Sequence, residues 1–499
     1  MNARDLLPTD LGLAPLAVDS AIDYRDKYRG ALLGVGIGDA LGRPAEGKGP
    51  GWIRADHGVI SDFIPWRGWR GGPKGTLTDD SELTIALAES LVERQQMDPV
   101  DFGKRCAAWL HVGRGKGRAT SDACQRLLKG IDWTQAGSPS AGNGAAMRSA
   151  PIGLFHPTEV NSLRRDAALS AVVTHADPTA VLSAVALSFL VAKLLHTRRG
   201  ALDVDHLLQD LTGVLGDLSD PALPERRPGG GMVRLGERLS EMGRRLDEDP
   251  EDLFAYTYNG AFVTESLPAA LWCFLRFPDD PEKILITAVA GGYDADTVAA
   301  MAGALAGAYN GSSNLPDRWL DDLEYRDGFE GCADDLLDLA GLPAAPIPMV
   351  ALSEVEIIDG FTGPFGFLSN SARSPFEVDG LRYMTVEHAY SARKISWEVV
   401  SADVRLVPTP AGAIERRRDS GTHDDWPRRR LQVMEQLVAA KFAPGSAMSA
   451  HLLLTGRAQL RNANWWGDRF WGTVDGTGEN HLGRILESGR DGINTEHFE

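Results

Sequence analysis

Cysteine, long apolar runs and basic charge are all scarce in this 499-residue sequence. Its four cysteines lie far apart and form no Cys-x-x-Cys pair, which argues against a disulfide framework or a zinc site and predicts buried thiols. No apolar run approaches the roughly 20 residues that span a bilayer, so we predict no membrane partner. The first residues lack the basic and apolar segments of a signal peptide, and we therefore expect a reducing, cytoplasmic location.

Acidic residues outnumber basic residues by 69 to 51, and the formal net charge is −18. A protein of this charge does not coat nucleic acid electrostatically, although its charge still allows a local basic groove. We therefore expect no stable nucleic-acid complex. The composition is otherwise that of a folded globular protein, because 43% of the residues are hydrophobic and 24% are charged. This balance excludes wholesale disorder.

The length predicts more than one domain, because a single hydrophobic core rarely grows beyond about 250–300 residues. Three prolines between residues 343 and 348 resist helix formation and are typical of a stiff, extended connector. We therefore predict an N-terminal domain over residues 20–340, a linker over 341–353 and a C-terminal domain over 354–499.

Apolar periodicity predicts an all-α fold for the N-terminal domain. Residues 81–95 carry leucine at every fourth position, which is typical of the buried face of a helix. Alanine- and leucine-rich runs predict further helices over 181–195 and 261–276. No segment of this domain alternates between apolar and polar residues like a strand.

The C-terminal domain mixes two kinds of pattern. Short β-like segments cover 355–358 and 376–378, and helical stretches cover 386–396, 428–442 and 480–488. The predicted fold is a smaller α+β domain that is mainly helical.

The first predicted helix carries glycine at every fourth position, at residues 30, 34, 38 and 42. These glycines share one helix face and form a smooth ridge that another backbone can approach closely. Each one costs roughly 1 kcal/mol of helix stability relative to alanine, so the ridge indicates a packing or binding role. Asp39 and Glu46 lie near the end of the ridge.

Two acidic segments, far apart in the sequence, each open a predicted helix. Segment 78–81 reads Thr-Asp-Asp-Ser, and segment 294–297 reads Asp-Ala-Asp-Thr. One interpretation is helix capping, but adjacent aspartates repel each other and a cap needs only one of them. The other is one shared cation site, because hard divalent cations such as Mg²⁺ prefer oxygen ligands. We favour the cation site, and the number of carboxylates suits two ions better than one.

Five motifs, in this order, resemble those of the ADP-ribosylglycohydrolases. They are Gly-Asp-Ala-Leu-Gly at 38–42 with Glu46, segment 78–81, the glycine-rich segment 142–148, Thr174 with His175, and segment 294–297. The resemblance covers about residues 25–340. It implies an all-α fold, a binuclear Mg²⁺ or Mn²⁺ centre, and hydrolysis of the bond between ADP-ribose and an acceptor.

The resemblance also implies the residues of the metal centre. The implied ligands are Thr78, Asp79, Asp80, Asp294, Asp296 and Thr297. Glu46 is implied to reach the centre, where it gates the site or acts as an acid or base, and Asp80 is counted with it as catalytic.

Segment 142–148 and a histidine are implied to hold the diphosphate or the adenosine ribose. The substrate-binding residues of this set are Asn143, Gly144, Met147 and His175. His175 is open to a second interpretation as a hydrogen-bonded structural histidine. Segment 52–75, rich in tryptophan, glycine and arginine, is either an acceptor-side lid or an aromatic-packed loop.

A second set of chemically active residue types lies in the C-terminal domain. Glu387 and Lys394 stand at helical spacing with Tyr390 and Ser391 and can share one face, although a surface ion-pair stripe has the same pattern. The tryptophans between 465 and 471 either stack on a planar base or pack in a core.

Four motifs of this domain resemble the NADAR family over about residues 357–492. They are Phe-Leu-Ser-Asn at 367–370, Val-Glu-His-Ala-Tyr-x-Ala-x-Lys at 386–394, Asp-x-x-Trp-Gly at 468–472 and Gly-x-Asn-x-Leu-Gly at 478–483. The resemblance implies cleavage of N-glycosidic bonds, either in phosphorylated riboflavin precursors or between ADP-ribose and guanine in nucleic acid.

The motif positions imply roles in this second reaction. Glu387 and Asp468 would be the acid and base carboxylates, and Lys394 a possible nucleophile. The implied substrate-binding residues are Trp426, Trp471 and Asn480. The arginine runs at 416–418 and 428–430 either contact phosphates or form a solvated face, and we favour the solvated face.

Both resemblances converge on ADP-ribose, so we predict a bifunctional hydrolase that acts on ADP-ribosylated protein, nucleic acid or both. Two Mg²⁺ or Mn²⁺ ions are the predicted cofactors of the N-terminal domain, and none is predicted for the C-terminal domain. Two alternatives stay open. The first alternative is that the C-terminal domain hydrolyses a phosphorylated riboflavin intermediate. The second is that one half of the chain is a non-catalytic sensor module that binds ADP-ribose.

Overall fold

A computed structural model describes residues 3–66, 71–226, 229–344 and 355–496. The chain forms two compact units, Met1–Ala345 and Pro346–Glu499, and each is described by itself. Most of the predicted linker, from residue 345 onward, lies outside the described residues.

The first unit is built from helices. They are α1 (Tyr24–Gly42), α2 (Pro50–His57), α3 (Asp79–Arg94), α4 (Pro99–Trp109), α5 (Arg118–Leu128), α6 (Trp133–Ala136), α7 (Ala150–Phe155), α8 (Val160–Val172), α9 (Pro178–Leu195), α10 (Val204–Leu215), α11 (Leu235–Glu241), α12 (Pro250–Thr257), α13 (Val263–Arg276), α14 (Pro281–Ala290), α15 (Ala295–Asn310), α16 (Asp317–Asp322) and α17 (Arg326–Ala340). Short 3₁₀ helices cover Ala3–Leu6, Arg43–Ala45, Asn143–Ala145, Met242–Arg245 and Ser312–Asn314.

The all-α prediction for this unit is confirmed. Within its described residues, the named strands are β1 (Leu223–Pro224) and β2 (Met232–Val233), which form one two-residue antiparallel pair. The three helices predicted from apolar periodicity correspond to α3, α9 and α13. All four cysteines are buried thiols outside any disulfide, as their spacing predicts.

Helix α9 corrects the expectation about apolar runs. Its 18 residues are long and apolar enough to cross a bilayer by length and composition. The helix is 89% buried within the protein, where it packs against α7, α8, α10, α13 and α15. Its apolar surface is therefore covered on all sides by other helices, which is the environment of a central core helix.

The glycine ridge of α1 packs directly against α15. A Cβ added to Gly34 would approach the carbonyl oxygen of Gly303 closer than 3.0 Å, and a Cβ on Gly303 would meet Gly34 equally closely. Gly30 and Gly307 form a second reciprocal pair, and a Cβ on Gly42 would meet the Cα of Asp296. The two backbones touch because neither helix carries a side chain at the contact. This packing holds the start of α15 against the end of α1.

We expect Gly34→Ala to destabilise the first unit by about 3 kcal/mol, because the new methyl group meets an immobile backbone rather than a flexible side chain. The matched control is Gly213→Ala in α10, where a Cβ meets nothing within 4 Å. That variant should be neutral or up to about 1 kcal/mol more stable, because alanine is the better helix former. Thermal unfolding of both full-length variants measures the difference, and equal unfolding temperatures would contradict the close packing.

The second unit combines short strands with helices. Its strands are β3 (Ile357–Asp359), β4 (Phe376–Val378), β5 (Leu381–Tyr383) and β6 (Gln459–Arg461). Its helices are α18 (Val386–Lys394), α19 (Glu398–Val404), α20 (Pro410–Arg418), α21 (Trp426–Lys441), α22 (Ala447–Leu454) and α23 (His481–Glu496), with a 3₁₀ helix at Gly363–Leu368. The predicted mainly helical α+β class is confirmed.

Strand pairing in this unit is local and sparse. β3 and β6 form a parallel pair, with Ile358 opposite Leu460, although they are remote in sequence. β4 and β5 form an antiparallel hairpin closed by Asp379 and Gly380, both with positive φ. Helices α19, α20, α21 and β5 all contact α18, so α18 is the central element around which the second candidate site is built.

Candidate metal centre and second candidate site

The candidate metal centre lies where the beginnings of α3 and α15 meet the last turn of α1. One carboxylate oxygen from each of Asp39, Asp80 and Asp296 lies within 4.8 Å of the other two, and all three residues are buried. Asp79 and Asp294 flank Asp80 and Asp296 in the sequence. The structure therefore brings the two predicted acidic segments to one place in the first unit.

Asp39 explains how α3 begins. Its Oδ2 accepts hydrogen bonds from the backbone N–H groups of Thr78 (2.8 Å) and Ser81 (3.2 Å), and its Oδ1 accepts from the Thr78 hydroxyl (2.6 Å). Thr78 precedes the helix, but its own side chain makes no capping bond. The cap thus comes from another helix, which leaves the aspartates of segment 78–81 free for a different role.

The metal-ligand prediction omitted Asp39, although it is one of the three clustered carboxylates. Its position within α1, beside the glycine ridge, was the available sequence signal. That signal identified a packing face and did not identify the partner of the face.

Asp80 carries the feature that points most directly to a cation. Its Oδ2 accepts a long hydrogen bond of 3.4 Å from the Thr297 hydroxyl, while its Oδ1 is buried and has no hydrogen-bond partner among the described residues. A buried carboxylate oxygen without a donor is costly unless a positive charge balances it. The oxygen-rich donor set of this centre fits a hard divalent cation.

Burial and mutual repulsion raise the pKa values of these carboxyl groups. The pKa values of Asp79, Asp80 and Asp296 lie well above the ordinary aspartate value, first because of burial and then because of neighbouring aspartates. Burial also raises the pKa values of Asp39 and Asp294. Such a cluster cannot hold its full negative charge unaided, and a bound cation favours the ionised form.

Glu46 lies at the rim of this centre and is tied to it by an arginine. Arg43 pairs with Glu46 and also approaches Asp296, with 3.6 Å between Nη1 and Oδ2. The Arg43 guanidinium lies over the Trp66 ring, 4.1 Å from its centroid. Trp66 belongs to segment 52–75, of which residues 67–70 lie outside the described part of the chain.

Asn143 connects the glycine-rich segment to the metal centre. Its Nδ2 donates to Asp294 Oδ2 at 2.5 Å and to the Ser266 hydroxyl at 3.2 Å. Its backbone N–H donates to the carbonyl of Ala261. Met147, whose backbone N–H donates to the Asn143 carbonyl, is buried, with 3% of its surface exposed. Asn143 therefore orients an aspartate of the cluster, and a substrate-binding role for Asn143 and Met147 stays a prediction.

His175 lies against the glycine-rich segment from the inside. It is 1% exposed, its Nδ1 is 2.9 Å from the Thr174 hydroxyl, and a Cβ on Gly144 would approach its ring closer than 3.0 Å. Burial, with a smaller contribution from Arg148, lowers the pKa of His175 to about 3. A neutral, buried ring of this kind supports the segment around Gly144, and these contacts agree with the structural interpretation of the histidine.

The second candidate site is centred on Glu387 in α18. Its Oε1 accepts hydrogen bonds from the Ser391 hydroxyl (3.0 Å) and from the Arg417 guanidinium, and Arg417 also donates to Ser391 (3.1 Å). Burial raises the pKa of Glu387. Burial, and then the positive charge of Arg417, lowers the pKa of Lys394. The arrangement is a recessed acid beside an amine with a lowered pKa, and it differs from a surface ion-pair stripe.

Arg417 is the residue that the sequence interpretation missed in this site. The arginine run 416–418 favoured a solvated face, and Arg418 does have a side chain that is 71% exposed. The Arg417 side chain is only 18% exposed because α20 packs against α18 and turns it toward Glu387. The solvated-face interpretation is therefore wrong for Arg417.

Aromatic rings line the same region. The Tyr390 ring meets the Trp426 ring edge-on, with 5.0 Å between centroids, and the Trp471 ring at 5.7 Å. Trp426 is 4% exposed and packs as a core residue, whereas Trp471 is half-buried. The Arg430 guanidinium lies over the Phe470 ring, with 3.4 Å between its central carbon and the ring centroid. Of the two tryptophans predicted to stack on a base, Trp471 is the one that retains accessible surface.

Asp468 and Asn480 hold the loop that presents Trp471. Asp468 Oδ1 accepts hydrogen bonds from the backbone N–H groups of Phe470 and Trp471, both at 3.0 Å. Asn480 accepts from the backbone of Asn462 (3.0 Å) and donates to the carbonyl of Leu460 (2.8 Å). These contacts give both side chains a positioning role, and their predicted parts in acid–base chemistry and substrate binding stay predictions.

Comparison with known proteins identifies both units. Residues 20–346 match the family model for ADP-ribosylglycohydrolase. The chain belongs to the ADP-ribosylglycohydrolase family. Residues 360–494 match the model for the NADAR domain, so both resemblances drawn from the motifs are confirmed.

Several relatives match the ADP-ribosylglycohydrolase unit over most of their own length. An uncharacterized protein of Archaeoglobus fulgidus is 34% identical over 63% of this chain and 97% of its own. ADP-ribosylhydrolase ARH3 of Bos taurus is 30% identical over 60% of this chain and 88% of its own. ADP-ribosylarginine hydrolase Tri1 of Serratia proteamaculans is 28% identical over 63% of this chain and 80% of its own.

The family assigns an enzymatic class to the chain. It is a glycosidase of the ADP-ribosylglycohydrolase type, and its first unit is an ADP-ribosylhydrolase. The family is metal-dependent, which agrees with the acidic cluster of the first unit.

Proposed function

We propose that this chain is a bifunctional hydrolase that removes ADP-ribose from two kinds of acceptor, in a reducing, cytoplasmic setting. The first unit cleaves ADP-ribosyl–acceptor bonds with two Mg²⁺ or Mn²⁺ ions, and the NADAR unit cleaves the N-glycosidic bond of ADP-ribosyl-guanine in nucleic acid. The observation that carries the metal-dependent half of the proposal is the unpartnered, buried Asp80 Oδ1 within a cluster of aspartates from three helix ends.

In the first unit, the residues that would hold the ions are Thr78, Asp79, Asp80, Asp294, Asp296 and Thr297. When bound, such ions polarise substrate oxygens and lower the pKa of a water. The protein does the rest of the positioning. Asp39 fixes Thr78 at the start of α3, and Asn143 orients Asp294. Glu46 lies at the rim, where it gates the site or exchanges a proton with the reacting group.

In the NADAR unit, the lowered pKa of Lys394 favours a neutral amine that can attack the anomeric carbon. A bond forms between Nζ and the anomeric carbon of ADP-ribose as the bond between that carbon and the guanine nitrogen breaks, and the guanine, which stays in the nucleic acid, takes up a proton. The raised pKa of Glu387 suits it to supply that proton. The sugar ring of the adduct then opens to an imine as a proton passes from Nζ to the ring oxygen, and water hydrolyses the imine, which releases ADP-ribose and regenerates the amine.

A substrate screen with the purified full-length protein tests this assignment. We expect release of ADP-ribose from ADP-ribosyl-arginine or ADP-ribosyl-serine peptides, with loss of that activity in EDTA. We also expect release from ADP-ribosyl-guanine DNA that persists in EDTA. Product chromatography measures both.

Two outcomes of this screen would replace the proposal for one half. Turnover of a phosphorylated riboflavin intermediate, with ADP-ribosyl-guanine DNA left intact, would assign the NADAR unit to that reaction. Tight ADP-ribose binding by calorimetry without any turnover would identify a sensor module.

A further inference from the structure

Arg43 stands between the rim of the metal centre and one of its aspartates. It follows the last residue of α1, and its backbone N–H donates to the Asp39 carbonyl. A Cβ on the preceding residue, Gly42, would meet the Cα of Asp296, so the two backbones are in direct contact at this point. Arg43 is therefore held close to Asp296 by the same backbone packing that builds the centre.

The guanidinium of Arg43 occupies an oxygen that a cation would need. Asp296 Oδ1 accepts a hydrogen bond from the Thr297 backbone N–H at 3.0 Å, and Oδ2 faces Arg43 Nη1 at 3.6 Å. Asp296 Oδ1 thus has a hydrogen-bond donor, and Oδ2 faces a positive charge. The side chains of Asp296 and Arg43 are 5% and 13% exposed, so water screens this attraction only weakly.

Two further contacts of Arg43 do not involve Asp296. It pairs with Glu46, whose side chain is 36% exposed, and its guanidinium stacks on the Trp66 ring at 4.1 Å. Its Nε is buried without a hydrogen-bond partner among the described residues, so the guanidinium is incompletely satisfied in this position. An arginine keeps its charge at any physiological pH, so its influence on the centre does not switch off by titration.

We propose that Arg43 competes with a divalent cation for Asp296 and acts as the positioning residue for Glu46. The inference rests on the proposed metal function of the aspartate cluster. In the metal-free protein Arg43 holds Asp296 and Glu46 together. A cation that takes Asp296 leaves the guanidinium with Glu46 and Trp66 as its remaining partners, so metal binding changes the ion pair of Glu46.

Titration of the full-length protein with Mn²⁺ alone, followed by calorimetry and by the electron spin resonance of free Mn²⁺, tests the competition without any substrate. Of the two Mn²⁺ ions, we expect the more weakly bound one to bind Arg43→Gln about tenfold more tightly than it binds wild type. Arg43→Lys keeps the positive charge and should stay within about threefold of wild type. Unchanged or weaker binding by Arg43→Gln would overturn the competition.

A second variant covers the case in which Arg43→Gln fails to fold. Glu46→Gln removes the alternative partner of Arg43, so the guanidinium stays on Asp296, and Mn²⁺ should bind severalfold more weakly. Unchanged affinity in this variant would also overturn the proposal. Hydrolysis assays add the positioning readout, because Arg43→Gln should lower kcat with little change in KM while Arg43→Lys restores part of kcat.

The same titration separates this inference from the proposed function. If wild type binds no Mn²⁺, the metal centre itself is refuted. If wild type binds Mn²⁺ and Asp80→Asn does not, the centre stands. An Arg43→Gln variant that then matches wild type would refute the competition alone.

Discussion

Asp80→Asn is expected to abolish binding of at least one divalent ion and to lower ADP-ribosyl hydrolysis by the first unit about 10³-fold. The substitution replaces a buried carboxylate that has one unpartnered oxygen with a neutral amide. An amide keeps the shape of the side chain and removes the charge that a cation requires. Calorimetry with Mn²⁺ measures the first effect, and chromatographic release of ADP-ribose measures the second.

Two controls accompany this variant. Thr297→Ser retains the hydroxyl that donates to Asp80 and should keep activity within about threefold of wild type. Cleavage of ADP-ribosyl-guanine DNA by the NADAR unit should be unaffected by Asp80→Asn and by EDTA. Full hydrolysis of ADP-ribosyl peptides in EDTA would contradict the metal assignment.

Glu387→Gln and Lys394→Ala are each expected to lower release of ADP-ribose from ADP-ribosyl-guanine DNA by the NADAR unit about 10²- to 10⁴-fold. Glu387→Gln removes the proton donor, and Lys394→Ala removes the nucleophile. Reduction with borohydride during turnover should attach the sugar to wild type at Lys394, and mass spectrometry should find no adduct on Lys394→Ala. Unchanged turnover in either variant would remove that residue from the mechanism.

The pH dependence of this reaction has a predicted sign. Because burial and Arg417 lower the pKa of Lys394, its neutral fraction, and with it the rate, should rise as pH increases toward that pKa. Arg417→Gln removes a neighbouring positive charge, so the pKa of Lys394 rises. The ascending limb of the pH–rate profile then moves to higher pH. Arg418→Gln is the matched control, because that side chain is 71% exposed and should leave the limb in place. A limb that does not move in Arg417→Gln would contradict the electrostatic coupling.

Local chemistry made much of the first unit predictable. Helix starts are encoded within a few residues, so segments 78–81 and 294–297 were recognisable as helix starts with more carboxylates than capping needs. The glycine spacing of α1 was recognisable for the same reason, since a period of four residues places them on one face. Neither pattern contains the identity of its partner, which is why Asp39 was not counted among the clustered carboxylates.

The second unit shows where local chemistry misleads. Arg417 and Arg418 are neighbours in one arginine run, and their sequence environments are nearly the same. Arg417 pairs with Glu387 and Arg418 faces solvent, because only one face of α20 packs against α18. Asp468 and Asn480 were found by their motifs, but their hydrogen bonds to the backbone became visible only in the folded loop.

The amino-acid sequence by itself determined the helical class of the first unit, the two families and the residue types available for chemistry. These properties follow from periodicity and from short motifs, which depend on neighbours along the chain. Only the tertiary structure decided that Asp39, Asp80 and Asp296 share one site, that Arg43 bridges this site to Glu46, and that Arg417 belongs to Glu387. Such contacts depend on which helix faces touch, and that is settled by the packing of the whole unit.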